Sequence, residues 1–231
     1  AERAGVEALV GARVAVDGGP ELLLLVESQR GYRNLSRLLT AAHERGGKRA
    51  ARATWDDVEA HAGGLVGLLR GDGSLSADAL DRPRAVLGSD RVWVDVSRHR
   101  DRSAEGETRW AVAVAESLGA PVVATNDVRH ARPADRPLND ALTCLRHHVS
   151  LDTAGRRLAP NAERHLVSPH EMARRFADRP AWIAATRAIA ERCAFRLRDL
   201  GYRFPSFDSR RSPSARYAGI AGSGRGEESE G

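Results

Sequence analysis

The sequence holds two cysteines, a single lysine (Lys48) and no apolar run long enough to span a membrane. Cys144 and Cys193 are far apart and form no CxxC pattern. That argues against a disulfide framework and for two buried thiols in a reducing compartment. No basic-then-apolar leader follows Ala1, so a cytoplasmic protein with no membrane partner is expected. There is no P-loop, no GxGxxG, no internal repeat and no heptad run. Ser/His/Asp catalysis has no GxSxG elbow to support it, and neither cysteine has a neighbour that would make it a nucleophile.

The near absence of lysine changes how the charge is read. The formal net charge is +5, which invites a nucleic-acid partner. The cations are almost all arginine, however, and Ala, Arg and Gly are abundant throughout, as a GC-rich coding bias would produce. Basic charge therefore counts only where it clusters. The densest run, Lys48-Arg49-Ala50-Ala51-Arg52, falls in a Gly-flanked loop. It reads as a solvated loop, with a phosphate-contacting loop as the alternative.

A chain of 231 residues, 42% of them apolar, supports one substantial domain or one and a half. Strands are predicted at Ala8–Val16, Leu22–Val26, Leu65–Leu69, Val92–Val96 and Pro121–Ala124, with a strong turn at Asp17-Gly18-Gly19-Pro20. Helices are predicted over Gly31–Glu44, after a Thr54 cap, over Ser76–Leu87 with a possible break at Pro83, and over Ala104–Leu118 with Trp110 near its apolar face. Further helices follow over Leu138–Arg146, Ser168–Phe176 and Ala181–Ala194, with Ser168 and Glu171 spaced as a capping box. The order implies an α/β fold. A barrel-like or open parallel sheet occupies residues 1–137, a helical connector 138–208, and a disordered low-complexity tail 209–231.

Chemistry is sought first where strands end, because side chains just past a strand's carboxyl end face the crevice of a βα-alternating fold. Val122-Val-Ala-Thr-Asn-Asp-Val-Arg-His130 offers Asn126, Asp127 and His130 there. Their plainer reading is an Asx-type turn with an exposed histidine. Asp95 alternates with Val94 and Val96, so it aims at a barrel interior, with His99 a few residues on. A catalytic metal needs at least three protein ligands. The alternative is that Asp95 bonds a neighbouring arginine and His99 is a surface loop histidine. His147-His148 reads as a C-terminal cap rather than a ligand pair.

Several stretches, in order, resemble one family. Leu25-Val-Glu-Ser-Gln-Arg-Gly-Tyr-Arg-Asn-Leu-Ser-Arg-Leu-Leu39, Gly64-Leu-Val-Gly-Leu68, Val92-Trp-Val-Asp-Val-Ser-Arg-His99 and Pro121-Val-Val-Ala-Thr-Asn-Asp-Val-Arg129 are similar to the PHP domain of bacterial C-family DNA polymerases, the DNA polymerase III alpha subunit class. Asp140-Ala-Leu-Thr-Cys-Leu-Arg-His147, Arg156-Arg-Leu-Ala-Pro-Asn-Ala-Glu-Arg164 and Asp199-Leu-Gly-Tyr-Arg-Phe-Pro205 resemble the error-prone branch of that class.

The resemblance implies a distorted α/β barrel. In some members this barrel binds a metal cluster and hydrolyses phosphoesters or proofreads 3′ ends. In others its site is degenerate and the domain supports the polymerase. Carried over, His99 and Asp127 match ligand positions. Arg13 stands in place of a ligand glutamate, and a Cys or His ligand falls at about Gly71. Arg129 replaces a ligand histidine, with His130 displaced by one position. The opening His-x-His and Thr-Asp-His motifs would precede Ala1, and the polymerase palm would follow Phe204-Pro205.

The expectation is therefore an internal piece of an error-prone DNA polymerase, a nucleotidyltransferase active in DNA replication, repair and translesion synthesis. The parent would use DNA, deoxynucleoside triphosphates and magnesium, and would meet other polymerase or translesion subunits. For the piece itself no catalytic residue and no cofactor is expected. His99, Asp127 and His130 are the residual metal-site residues, with zinc or manganese bound only if the site is active. The rival readings are a metal-dependent phosphoesterase or 3′–5′ exonuclease, and a basic module gripping DNA or a polymerase.

Overall fold

The computed structural model describes residues 5–46 and 50–201. The chain divides into two units, Ala1–Asp199 and Leu200–Gly231, and the fold is that of the first. Lys48, Arg49, Phe204, Pro205 and the tail predicted from Ser209 lie outside the described residues.

Among the described residues the sheet has five strands in the order β1-β2-β3-β4-β5. They are β1 (Gly11–Ala15), β2 (Glu21–Val26), β3 (Leu65–Arg70), β4 (Val92–Ser97) and β5 (Val122–Thr125). The α/β class holds, but the sheet is mixed rather than parallel, and β1 and β5 are its edges. β1 and β2 pair antiparallel because the turn at Asp17–Pro20 makes them a hairpin. β2 and β3 are also antiparallel. Two helices separate them, α1 (Gln29–Gly46) and α2 (Trp55–Ala60). After α1, Ala53 bridges to Val16 at one end of the hairpin. α2 then returns the chain to the opposite end, where Glu27 N–H donates to Gly64 O at 3.0 Å. Single-helix crossovers through α3 (Ala77–Leu87) and α4 (Arg102–Ser117) make β3, β4 and β5 parallel.

The helices form where sequence spacing and caps agree. α1 buries Leu35, Leu38 and Ala42, and lies so close to the β3 approach that a Cβ on Gly31 would stand 1.9 Å from Gly64 O. Thr54 and Asp57 complete a capping box at α2. α3 runs through Pro83 without breaking. The ring is buried, which offsets the backbone hydrogen bond proline cannot donate. In α4 the small residues Ala111 and Ala115 face the core together with Val112. Trp110, expected on that face, is instead exposed, its Nε1–H donating to Leu75 O at 3.1 Å.

Beyond β5 come α5 (Arg136–His147), α6 (Leu151–Ala154), α7 (Pro169–Arg175) and α8 (Pro180–Arg192). Ser168 caps α7 by accepting from Glu171 N–H at 3.2 Å. The expected box stays half-made, because the Glu171 carboxylate turns to Arg174 and Arg175. α8 returns to the sheet: Ile189 and Cys193 join Val66, Leu68, Trp93 and Val123 in one buried cluster. Both cysteines are free and buried, and burial pushes the Cys193 thiol up to about 11. Among the described residues no helix is long and apolar enough to cross a membrane.

Candidate functional site

Because β1 and β2, and β2 and β3, are antiparallel, β1 points the same way as β3, β4 and β5. Alternation then places Arg13, Arg70, Asp95 and Thr125 on the face that carries the α8 cluster, toward the shared carboxyl ends. A cleft of about 210 Å³ opens there, lined among others by Arg13, Arg70, Asp95, His99, Asp127 and Arg164.

Asp127 is its centre. It follows β5 with φ +35°, a backbone region where aspartate is tolerated better than most residues. Its carboxylate, 10% exposed, receives Arg70 Nη2 at 2.7 Å and Arg129 Nη2 at 3.1 Å, with Arg13 Nη2 at 3.6 Å. Arg164 Nη1 donates to the same carboxylate. Burial pushes the Asp127 carboxyl up, but the Arg129 hydrogen bond and the charges of Arg129, Arg164 and Arg70 outweigh it and hold it below the ordinary range. Burial, with the repulsion of Arg129 and Arg70, holds the Arg164 guanidinium below its ordinary value, although Asp127 acts the other way.

Asp95 does point into the cleft. Its hydrogen-bond partner is Thr125 Oγ1, donating at 2.5 Å, rather than the neighbouring arginine expected as the alternative. Burial raises its carboxyl above the usual value, although Thr125, Arg13 and Arg70 act the other way.

His99 is buried, not a surface loop histidine. Its Nε2–H donates to Asn126 O at 3.0 Å, which commits that nitrogen to the backbone. Burial holds its pKa below the ordinary value. His130 takes no part in lining the cleft. It is half-buried, its Nδ1–H donates to Arg132 O at 2.9 Å, and its ring stacks against His165 at 6.4 Å.

The cleft is closed by chain from far along the sequence. Asn126, for which an Asx turn was the plainer of two readings, is buried. It donates from Nδ2 to Glu163 O at 3.1 Å and His165 O at 2.6 Å. Asn161 Nδ2 donates to His99 O at 2.6 Å, and Arg129 N–H to Arg164 O at 2.7 Å. Arg175 pins this strap to α7: its buried guanidinium reaches Glu163 at 2.7 Å, Glu171 at 3.1 Å and Asn126 Oδ1 at 3.2 Å. Arg70, Arg164 and Arg175 were not singled out in the sequence reading. Arg164 lies in one of the resembling segments, but nothing local marks which carboxylate it meets.

These residues do not fit a metal cluster. Both Asp127 oxygens are engaged by guanidinia that stay protonated. Gly71, where the resemblance places a ligand, has no side chain, and a Cβ there would stand 2.8 Å from Asp95 O. Among the described residues no three His, Cys, Asp or Glu side chains converge. What the arrangement does is tie β1, β3, β5 and the 158–168 strap to one carboxylate.

No protein-family model matches the chain. It is 39% identical over 215 residues, 87% of its length, to an error-prone DNA polymerase of Anaeromyxobacter dehalogenans. It is 35% identical over 203 residues to error-prone DNA polymerase 1 of Agrobacterium fabrum, and 37% identical over 206 residues to the error-prone DNA polymerase of Pseudomonas syringae pv. syringae. Each match again takes in 87% of this chain. The chain spans 18–20% of the length of these relatives.

Proposed function

We propose that this chain, which is homologous to a segment of the bacterial error-prone DNA polymerases, is the PHP-type region of such an enzyme and serves it as a scaffold. In this reading the five-stranded sheet is part of a distorted barrel. The parent polypeptide extends primed DNA with deoxynucleoside triphosphates and magnesium, and the strand-end cleft is structural. The observation that carries the reading is the set of guanidinia of Arg13, Arg70, Arg129 and Arg164 around Asp127. In a phosphoesterase of this architecture, cations would sit at those oxygens. Fixed positive charge there repels an incoming metal ion by about 4 kcal/mol for each unit-charge pair at 4 Å and an effective dielectric of about 20. The cleft then does by ion pairing what a metal would otherwise do, holding strand ends and the covering strap together.

The test is hydrolysis of a phosphodiester and of a 3′-terminal nucleotide by the purified chain with added manganese or zinc. No turnover above the metal-only control is expected. Turnover abolished by both His99→Ala and Asp127→Ala would overturn the reading in favour of a working phosphoesterase.

A further inference from the structure

α5 leaves most of its large apolar side chains uncovered, with Cys144 its one buried residue. Leu138, Leu142 and Leu145 recur at helical spacing on one face and are 65%, 57% and 71% exposed, and Leu151 at the start of α6 is 58% exposed. The helix is seated by another face: Cys144 is its buried residue, with Asp140 and Thr143 half-buried beside it. Its packing is chiefly with its sequence neighbours, α6 and the turn at Pro133–Asp135, rather than with the sheet. A run of large exposed apolar side chains on one face marks an interaction surface.

The charges around the stripe say what kind of surface covers it. Most arginines near the cleft are paired, as Asp127, Glu163 and Asp178 show. Arg146 on α5, and Arg156 and Arg157 in the turn after α6, are exposed and in no ion pair among the described residues. A second copy of this chain would bring these three cations and the exposed Asp152 against the same set, a net like-charge juxtaposition that opposes pairing. An apolar face rimmed by carboxylates would satisfy both features. The match covers 18% of the Anaeromyxobacter dehalogenans relative, so 82% of that polypeptide lies outside it and is available to supply such a face.

We infer that the leucine stripe of α5, with Leu151 and the cations Arg146, Arg156 and Arg157, is a docking surface for an apolar, carboxylate-rimmed face elsewhere in the polymerase polypeptide. This rests on reading the chain as a polymerase segment. The test is binding in trans between the full chain and the Anaeromyxobacter dehalogenans relative lacking the segment that the chain matches. The variants are Leu142→Asp, Leu145→Asp and Arg156→Glu/Arg157→Glu. Each aspartate variant should weaken binding at least tenfold while its thermal melt stays that of the parent chain, since both leucines are exposed. The double charge reversal should flatten the salt dependence of binding.

Binding unchanged by both aspartate variants would overturn the docking surface and leave the polymerase reading standing. Absence of binding by the parent chain would overturn the docking proposal and count against that reading as well. Self-association of the chain alone, lost in Leu142→Asp, would assign the surface to a second copy and overturn the proposal.

Discussion

Replacing Asp127 by asparagine removes one charge and keeps the shape, so it isolates what the carboxylate does for the guanidinia around it. A single close pair at an effective dielectric of about 20 is worth about 4 kcal/mol before desolvation is counted. Most of that does not survive for Arg13, Arg70 and Arg129, whose side chains are 46%, 48% and 45% exposed. Each turns to water when released and contributes under about 1 kcal/mol. Arg164, on the strap itself, is only 24% exposed, so it keeps an uncompensated charge when Asp127 is neutralised. Breaking a buried pair in this way costs about 3–5 kcal/mol, and the partial exposure here sets the expectation for Asp127→Asn at about 3 kcal/mol. For a domain of this size the melting temperature should fall by about 6–12 °C, read by circular dichroism without added metal. Asp127→Asn/Arg164→Met should be less destabilised than Asp127→Asn alone, because the stranded guanidinium is gone. A loss under about 0.5 kcal/mol would refute the reasoning. So would stabilisation of the parent chain by manganese or zinc that Asp127→Asn abolishes, since a bound metal raises stability by mass action.

Two further outcomes follow from the same geometry. Arg175→Met strips the strap of the guanidinium that joins Glu163, Glu171 and Asn126, leaving Glu163 with Arg100 at 3.6 Å. It should cost about 3 kcal/mol and expose residues 158–168 to limited proteolysis, and an unchanged cleavage pattern there would speak against the strap being held from α7. Asp95 has a folded-state pKa raised chiefly by burial. Its favourable contribution is therefore complete below the unfolded value of about 3.9 and is lost as pH rises through the folded value. Asp95→Asn should melt higher than the parent at pH 7 and level with it near pH 3, whereas a lower melt at pH 7 would mean that Arg13 and Arg70 hold Asp95 ionised.

The strands and helices were legible because their signals are local. β2 and β3 are short apolar runs between turns, Thr54 precedes two aspartates, and the Asp17–Pro20 turn can only reverse the chain. Direction within the sheet was not legible, because α1 and α2 together carry the chain out and back, as the Val16–Ala53 bridge and the antiparallel β2–β3 pairing show. The site divides along the same line. Asp127 and His99 were found because they follow strands, and Asp95 because it alternates with Val94 and Val96, properties of their own neighbourhoods. Arg164 and Arg175 reach Asp127 and Asn126 across 37 and 49 residues, and no periodicity reports a contact of that span. The odd positions in the sequence were the useful clue. Arg13 and Arg129, which the resemblance sets at metal-ligand positions, stand with Arg70 and Arg164 around one buried carboxylate. Under the proposed PHP reading, these arginines hold by ion pairing the strand ends that a metal would otherwise hold. Without those arginines Asp127 would be a buried unpaired carboxylate, a costly arrangement that the pairing prevents.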